Sequence, residues 1–120
     1  MNSKQKGNIA LGECIKYLTS QGYIISIPLN DAQDYDLVVD MQEELKTIQV
    51  KYTSTKQTSG NYCVDTRTRG HNNYVKAKNK EADYYFITTD LLENYFIPYD
   101  IIKGKQSFTL NDNLKNYLIK

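Results

Sequence analysis

The sequence predicts an α/β domain in which one central mixed β-sheet is flanked by helices. An apolar repeat with helical spacing opens the chain, and short apolar, β-branched segments follow it. No internal repeat, linker or low-complexity stretch divides the 120 residues. A chain of this length forms one domain that can bury a core without disulfide or metal support.

The first predicted element is a helix from about Asn8 to Gln21, with Gly22 as its C-terminal stop. It rests on four apolar residues at roughly helical spacing: Ile9, Leu11, Ile15 and Leu18. A strand is predicted over 23–27, because YIISI is apolar and β-branched and Pro28 ends it. Gly7 and Gly12 suit close approach of this helix to the sheet or to DNA.

A β-hairpin is predicted next, because Asp36–Met41 and Lys46–Tyr52 each alternate apolar and polar residues. A tip at Glu43-Glu44 sets the register. The pairs are then Asp36–Lys51, Val38–Gln49, Asp40–Thr47, Leu37–Val50 and Val39–Ile48. Directly opposed β-carbons lie about 5 Å apart. The register therefore predicts that Asp36, Gln49 and Lys51 converge on one face.

The rest of the chain predicts mostly strands and loops. We expect strands at 62–67, 83–89 and 94–98, polar loops at 53–61 and 70–82, a helical turn at 99–104, and a short strand and terminal helix within 107–120.

Several classes of protein are excluded by composition. The two cysteines, Cys14 and Cys63, have neither disulfide-framework nor zinc-site spacing, which favours a reducing cytosol. The N-terminus lacks an apolar signal core, and no stretch is long enough to span a bilayer. We therefore expect a soluble, cytoplasmic protein that acts away from membranes.

The charge of the chain is unevenly distributed. Residues 46–80 carry eight basic side chains and one acidic side chain, Asp65, although the whole chain has a net charge of only +1. Acidic residues gather instead in 31–44 and 81–100. A basic segment beside acidic clusters suits an enzyme that holds a polyanion and a metal ion, but an ordinary mixed surface would look the same.

The three converging side chains offer metal and acid–base chemistry. Mg²⁺ binds oxygen ligands, often one or two carboxylates together with waters and phosphates. Asp36, the Gln49 side-chain carbonyl and the Val50 backbone carbonyl provide such oxygens, and Lys51 could orient or deprotonate a water. An amphipathic hairpin with a wet face would show the same alternation. Glu13 on the preceding helix, as a second carboxylate, favours the metal site.

Together these residues resemble the PD-(D/E)XK nuclease superfamily, which has a Glu on a helix, an Asp ending a loop, and (D/E)-x-K on the next strand. They are most similar to the branch of group I intron-encoded homing endonucleases and their free-standing bacterial and phage relatives. The matching segments are KGNIALGECIKYL (6–18), GYIISIPLNDAQDYDLVVD (22–40), QVKYTS (49–54) and YFIP (95–98). Gln49 stands where Asp or Glu is usual, and this branch is known for that Gln.

The resemblance implies a restriction-endonuclease-like fold and Mg²⁺-dependent cleavage of double-stranded DNA, with Mn²⁺ as a substitute ion. It implies catalytic roles for Glu13, Asp36, Gln49 and Lys51, and metal ligation by Glu13, Asp36, Gln49 and Val50. Cutting both strands needs two sites, which predicts a homodimer or a homotetramer. A structure-specific, Holliday-junction-type resolvase and a non-cleaving DNA-binding module on the same fold remain alternatives.

DNA contacts are predicted in the basic, hydroxyl-rich segment after Lys51. The residues expected to meet phosphates are Thr53, Ser54, Lys56, Arg67, Arg69, Lys76 and Lys78. Arg67 and Arg69 would share one face of a strand, which could equally be a solvated face.

Overall fold

The computed structural model describes residues 1–29, 35–66, 68–69, 74–75 and 82–120. Its elements are α1 (Ser3–Ser20), β1 (Ile24–Ser26), β2 (Leu37–Met41), β3 (Glu44–Thr53), β4 (Cys63–Asp65), β5 (Thr68–Arg69), β6 (Tyr74–Val75), β7 (Tyr84–Thr89), β8 (Asn94–Pro98) and β9 (Ser107–Thr109), with 3₁₀ helices at Tyr99–Ile101 and Asp112–Tyr117. In this described part, no helix has the length and apolar character needed to cross a membrane.

Helix α1 begins several residues before the predicted Asn8. Asn2 Oδ1 accepts a hydrogen bond from Gln5 N (2.9 Å), and Gln5 Oε1 accepts one from Asn2 N (3.0 Å), which forms a capping box. The first turns are polar, so the apolar repeat could not reveal them. The predicted end is confirmed within a residue, with Gly22 in the left-handed conformation (φ +85°) just beyond it.

The predicted mixed sheet is confirmed, with the strand order β1-β2-β3-β7-β8. β3 and β7 are parallel, and the other neighbours in this sheet are antiparallel. α1 packs on one face over a cluster formed by Cys14, Leu18, Leu37, Val39, Ile48 and Phe86. The parallel pairing of β3 with β7 fixes the middle of the sheet, and β3 carries three of the five predicted catalytic and metal-binding residues, Gln49, Val50 and Lys51.

The second face of the sheet is covered differently from the prediction. β4 does not join the central sheet but pairs with β9. No second long helix covers this face among the described residues. The cluster beneath consists of Tyr62, Val64, Tyr85, Ile87, Tyr95, Ile97, Ile102, Phe108, Leu110 and Leu114. This second cluster lies over β7 and β8 and buries large apolar side chains from the C-terminal third of the chain.

The predicted hairpin is present, but its register is wrong by two residues. The turn consists of Gln42 and Glu43, both in the left-handed region (φ +54° and +71°), rather than Glu43-Glu44. The observed pairs are Leu37–Ile48, Val38–Thr47, Val39–Lys46, Asp40–Leu45 and Met41–Glu44. Continuing this register brings Asp36 opposite Gln49, not Lys51. A shift of two residues leaves every side chain on its predicted face.

Candidate active site

Asp36 lies immediately before β2 and forms hydrogen bonds with the edge of β3. Its backbone N–H donates to the Ile48 carbonyl (2.8 Å), and its Oδ2 accepts a hydrogen bond from Val50 N (2.7 Å). The carboxylate thus occupies the position where β2 would otherwise continue. These two bonds hold Asp36 at a defined place against β3.

Several effects act on the pKa of Asp36 in opposite directions, and their balance raises it. Desolvation by the surrounding protein raises the pKa of its carboxyl group, and the Val50 hydrogen bond and the Lys51 charge act to lower the pKa. Burial, assisted by the Asp36 charge, raises the pKa of Cys14 to about 12. Cys14 is therefore a protonated, inert thiol at neutral pH.

Gln49 carries an unusual oxygen. Its Oε1 is buried and has no hydrogen-bond partner among the described residues. Leaving a buried acceptor unpaired costs about 1–3 kcal/mol, so such atoms need an explanation. An acceptor of this kind, in register with Asp36, is available to a ligand.

Val50 supplies a second neutral oxygen beside it. The N–H and C=O groups of one strand residue point to the same side of the strand. Because Val50 N donates to Asp36, the Val50 carbonyl also points to the β2 side of β3. The register places Val50 beyond the first residue of β2, so this carbonyl faces the region of Asp36.

Lys51 is half-buried, and its positive charge acts to lower the pKa of Asp36. In the observed register Lys51 is a diagonal neighbour of Asp36 on the same face, rather than its direct partner. The predicted convergence of Asp36, Gln49 and Lys51 therefore holds, although the predicted pairing does not.

Glu13 is held elsewhere. Its Oε1 accepts a hydrogen bond from Asn94 Nδ2 (3.0 Å) on β8, and Asn94 Oδ1 accepts one from the buried Thr88 hydroxyl (2.7 Å). β8 is three strands from β2 in the sheet order, which corresponds to about 14 Å at normal strand spacing. Glu13 is thus hydrogen-bonded to a residue of β8, and metal ligation shared by Glu13 and Asp36 stays a prediction.

The donor set fits a hard divalent cation. No group of three His, Cys, Asp or Glu side chains able to hold a metal occurs in the described ranges. The candidate ligands are instead one carboxylate, one amide oxygen and one backbone carbonyl, from Asp36, Gln49 and Val50. Mg²⁺ accepts such a sparse oxygen set because it retains waters and substrate phosphates.

The predicted DNA contacts lie in several different settings. Ser54 and Lys56 are exposed, and Lys56 Nζ lies 4.9 Å from the ring centre of Tyr62. Thr53 is buried and its hydroxyl donates to the Cys63 carbonyl (2.6 Å), which disfavours a direct contact with DNA. Arg69 belongs to β5, and the structure describes its backbone only; the predictions for Arg67, Lys76 and Lys78 lie outside the described residues.

Sequence reasoning missed two contacts of α1. One is the bond between Asn94 and Glu13, which are 81 positions apart, so no spacing rule could have joined them. The other is Lys6, whose Nζ lies 5.9 Å from the ring centre of Tyr52. The sequence signal for the second contact was the basic side chain of Lys6 itself, close to the start of the predicted helix.

Comparisons with known proteins identify a family and similar folds. A family model described as PD-(D/E)XK endonuclease matches residues 1–115. The fold is similar to that of the bacterial homing endonuclease I-Ssp6803I, with a TM-score of 0.81 and 26% identity over 98% of this chain and 89% of that one. The structure of MepB is similar in fold alone, with a TM-score of 0.51 and 20% identity over 99% and 97% of the two chains. The search of curated protein sequences gave no match.

Proposed function

Because the chain belongs to the PD-(D/E)XK endonuclease family, we propose that it is a Mg²⁺-dependent endonuclease that hydrolyses phosphodiester bonds of double-stranded DNA. Nucleases of this family generally use divalent metal ions. The observation that carries the proposal is the buried, unpartnered Gln49 Oε1 beside Asp36. A cation would give this oxygen the partner that the described protein does not.

Asp36, Gln49 Oε1 and the Val50 carbonyl are the proposed metal ligands. Bound Mg²⁺, or Mn²⁺ in its place, supplies Lewis-acid stabilisation of the phosphate and lowers the pKa of bound water. The protein's own contribution is positional. Val50 N–H holds Asp36 through Oδ2, so that the carboxylate keeps one orientation before substrate arrives.

Lys51 is the proposed acid–base or charge-stabilising group. Its ammonium, next to Asp36, can orient the attacking water or stabilise negative charge that develops on the phosphate. Its half-buried position strengthens that electrostatic effect relative to open solvent. We assign Lys51 to the transition state rather than to DNA affinity.

Glu13 is proposed as a further carboxylate of the site, on the basis of the resemblance alone. Its Oε1 accepts from Asn94 Nδ2, and its second carboxylate oxygen is the one proposed to ligate the ion.

DNA binding is proposed for the basic segment after Lys51. Ser54 and Lys56 are exposed and lie directly after β3, in reach of a backbone whose scissile phosphate sits at Asp36. Arg67, Arg69, Lys76 and Lys78 would extend this surface. Cleavage of both strands would require a homodimer or homotetramer, and the similarity to a homing endonuclease is consistent with such cleavage.

The proposal is tested by incubating the parent and Asp36→Asn proteins with Mg²⁺ and a randomised duplex library, then sequencing the cut ends. We expect cleavage by the parent only, with duplex binding in Ca²⁺ retained in the variant. A parent that binds duplex DNA without cutting it would identify the non-cleaving module, and one that cuts only four-way junctions would identify the resolvase. Equal cleavage by both proteins would refute the assigned site.

A further inference from the structure

The two edges of the central sheet differ in what covers them. At β8, the C-terminal segment pairs with the outer edge: Tyr95 and Leu118 form an antiparallel bridge, and Ile119 N donates to the Asn94 carbonyl (2.8 Å). At β1, no group of the described residues forms a hydrogen bond with the outer edge. The backbone N–H and C=O groups along that edge are therefore open to another strand.

The residues of β1 lack the usual protection of an exposed edge. Natural sheets block free edges with charged side chains, bulges or proline. Residues 21–29 contain no charged residue, and the strand Ile24–Ser26 is followed by Ile27, which is 58% exposed. Pro28 comes after this segment and does not interrupt it. An uncharged, β-branched edge of this kind favours pairing with another strand.

A second copy of the same strand fits this edge. Two identical strands can pair antiparallel about a two-fold axis, and such a contact closes at two copies. With the axis at Ile25, Ile24 of each copy faces Ser26 of the other, and Tyr23 faces Ile27. These pairs bring no two charges together. Tyr23 and Ile25 already pack against the cluster beneath α1, so Ile27 of the second copy would extend an existing core.

We propose that the chain forms a two-fold dimer in which β1 pairs antiparallel with β1 of a second copy, joining the two central sheets into one. The inference deepens the proposed function and rests on it for its purpose, because a dimer carries the two sites that cleavage of both strands requires. The association itself depends on β1 and is measured without DNA. A strand of an unrelated protein is the less favoured occupant, because β1 is complementary to itself.

The two-fold contact also arranges the candidate sites. The axis that relates two identical antiparallel strands is perpendicular to their sheet, so both α1 helices would lie on one side. Gln49 and Lys51 alternate with Ile48 and Val50, which pack beneath α1, and therefore face the other side. The sites of both copies would then open on the same face of the continuous sheet, within reach of one duplex.

Sedimentation velocity without DNA tests the contact, with the parent compared with Ile24→Lys/Ser26→Lys. Both residues are exposed, so Tm should change little. In the dimer the new ammonium groups would face each other in both pairs, which should weaken association by about 10²-fold or more. Leu45→Lys/Leu91→Lys is the matched control. It adds the same charge at side chains that are 72% and 68% exposed but lie outside β1, and it should associate like the parent.

A disulfide measures the register directly. Ile24→Cys/Ser26→Cys places one thiol opposite another in both pairs, with β-carbons about 5 Å apart, close to the separation that a disulfide spans. Oxidation should give a covalent dimer on a non-reducing gel. Leu45→Cys/Leu91→Cys and the parent, with its own Cys14 and Cys63, are the controls and should not be linked. An associating protein whose β1 cysteines do not link would overturn the antiparallel register.

The outcomes separate this inference from the proposed function. A parent that sediments as a monomer would overturn the inference. Equal behaviour of the two lysine variants would also overturn it, whether both associate or both dissociate, because the contact would then lie elsewhere than at the β1 edge. If the parent associates through β1 but cleaves no DNA, the proposed function fails and the inference stands. If the parent cleaves DNA and β1 makes no contact, the inference fails alone.

Discussion

The two hairpins of the central sheet, β7–β8 and β2–β3, differ in whether their polar groups have hydrogen-bond partners. In β7–β8, Thr88 donates to Asn94, Asn94 donates to Glu13, and Thr89 Oγ1 accepts from the N–H groups of Leu91 and Glu93. In β2–β3, by contrast, a buried Gln49 oxygen has no partner among the described residues. We call β7–β8 the closed hairpin, because these polar groups are paired, and β2–β3 the open hairpin, because the Gln49 oxygen is not.

The turn of β7–β8 reinforces this difference. Tyr62 donates a short hydrogen bond to Asp90, and this bond, together with burial, raises the pKa of Tyr62 to about 12. A closed network like this stabilises a fold and leaves little capacity for a ligand. An unpaired buried acceptor costs stability, and such local costs are typical of sites that bind a ligand.

The largest effect should come from Lys51 at the open hairpin. Lys51→Met should reduce turnover by about 10²-fold while DNA affinity changes little, because its charge acts chiefly in the transition state. As a purely structural residue, Lys51 would contribute to the free energy of unfolding through its charge near Asp36 and nothing to turnover. Single-turnover cleavage at saturating enzyme, together with thermal melts, separates the two roles; cleavage at the parent rate would make Lys51 a structural residue.

Gln49 provides the next test, with a readout that does not depend on cleavage. Gln49→Leu should leave the metal-free protein as stable as the parent or slightly more so, because it removes the unpaired oxygen. It should also lose most of the rise in Tm that Mg²⁺ or Mn²⁺ produces in the parent. Gln49→Glu should increase that rise by adding a charge. An identical metal-induced shift in all three proteins would remove Gln49 from the site.

Thr88 tests the closed hairpin. Thr88→Val keeps the shape of the fully buried side chain but leaves Asn94 Oδ1 without its donor, and should cost about 1 kcal/mol of unfolding free energy. The metal-induced rise in Tm should be unaffected, which a denaturation series with and without Mg²⁺ would show. Loss of metal response in this variant would mean that the two hairpins are functionally coupled.

The smallest effect concerns pH. Because the pKa of Asp36 is raised on folding, its ionisation destabilises the folded protein, and stability should fall as pH rises from its ordinary value of 3.8 through the raised value. Asp36→Asn should therefore be slightly more stable than the parent at neutral pH, with the gap closing below pH 3.8. Paired melts across this range measure the gap, and a gap of opposite sign would mean that favourable contacts of the ionised carboxylate dominate.

Much of the fold was predictable because the apolar patterns were strong. The strand Asn94–Pro98 was predicted at its exact residues, and the alternation in β2 and β3 placed Asp36, Gln49 and Lys51 on one face. The hairpin register was not predictable, because Gln and Glu seldom adopt positive φ and nothing marked Gln42 and Glu43 as the turn.

What local sequence pattern could not predict has a common physical cause, which is the tertiary placement of side chains and strands. The direction of Glu13 depends on Asn94, and the pairing of β4 with β9 depends on a segment more than forty positions away. Local pattern reports which face a residue occupies, but not which distant strand will lie against it. The candidate ligands on β3 could be found because they are close in sequence to one another.

The parallel pairing of β3 with β7 has a consequence for how the chain folds. Thr47 and Asp83 join the start of the pair, with the Thr47 N–H donating to Asp83 Oδ2 (2.9 Å) and the Asp83 N–H donating to the Thr47 carbonyl (3.0 Å). About thirty residues must close as a loop before this contact forms, which slows folding relative to local hairpins. During synthesis, α1 and the β2–β3 hairpin leave the ribosome first. The strand that carries Gln49, Val50 and Lys51 is then a bare edge, open to pairing with another nascent chain until β7 is made.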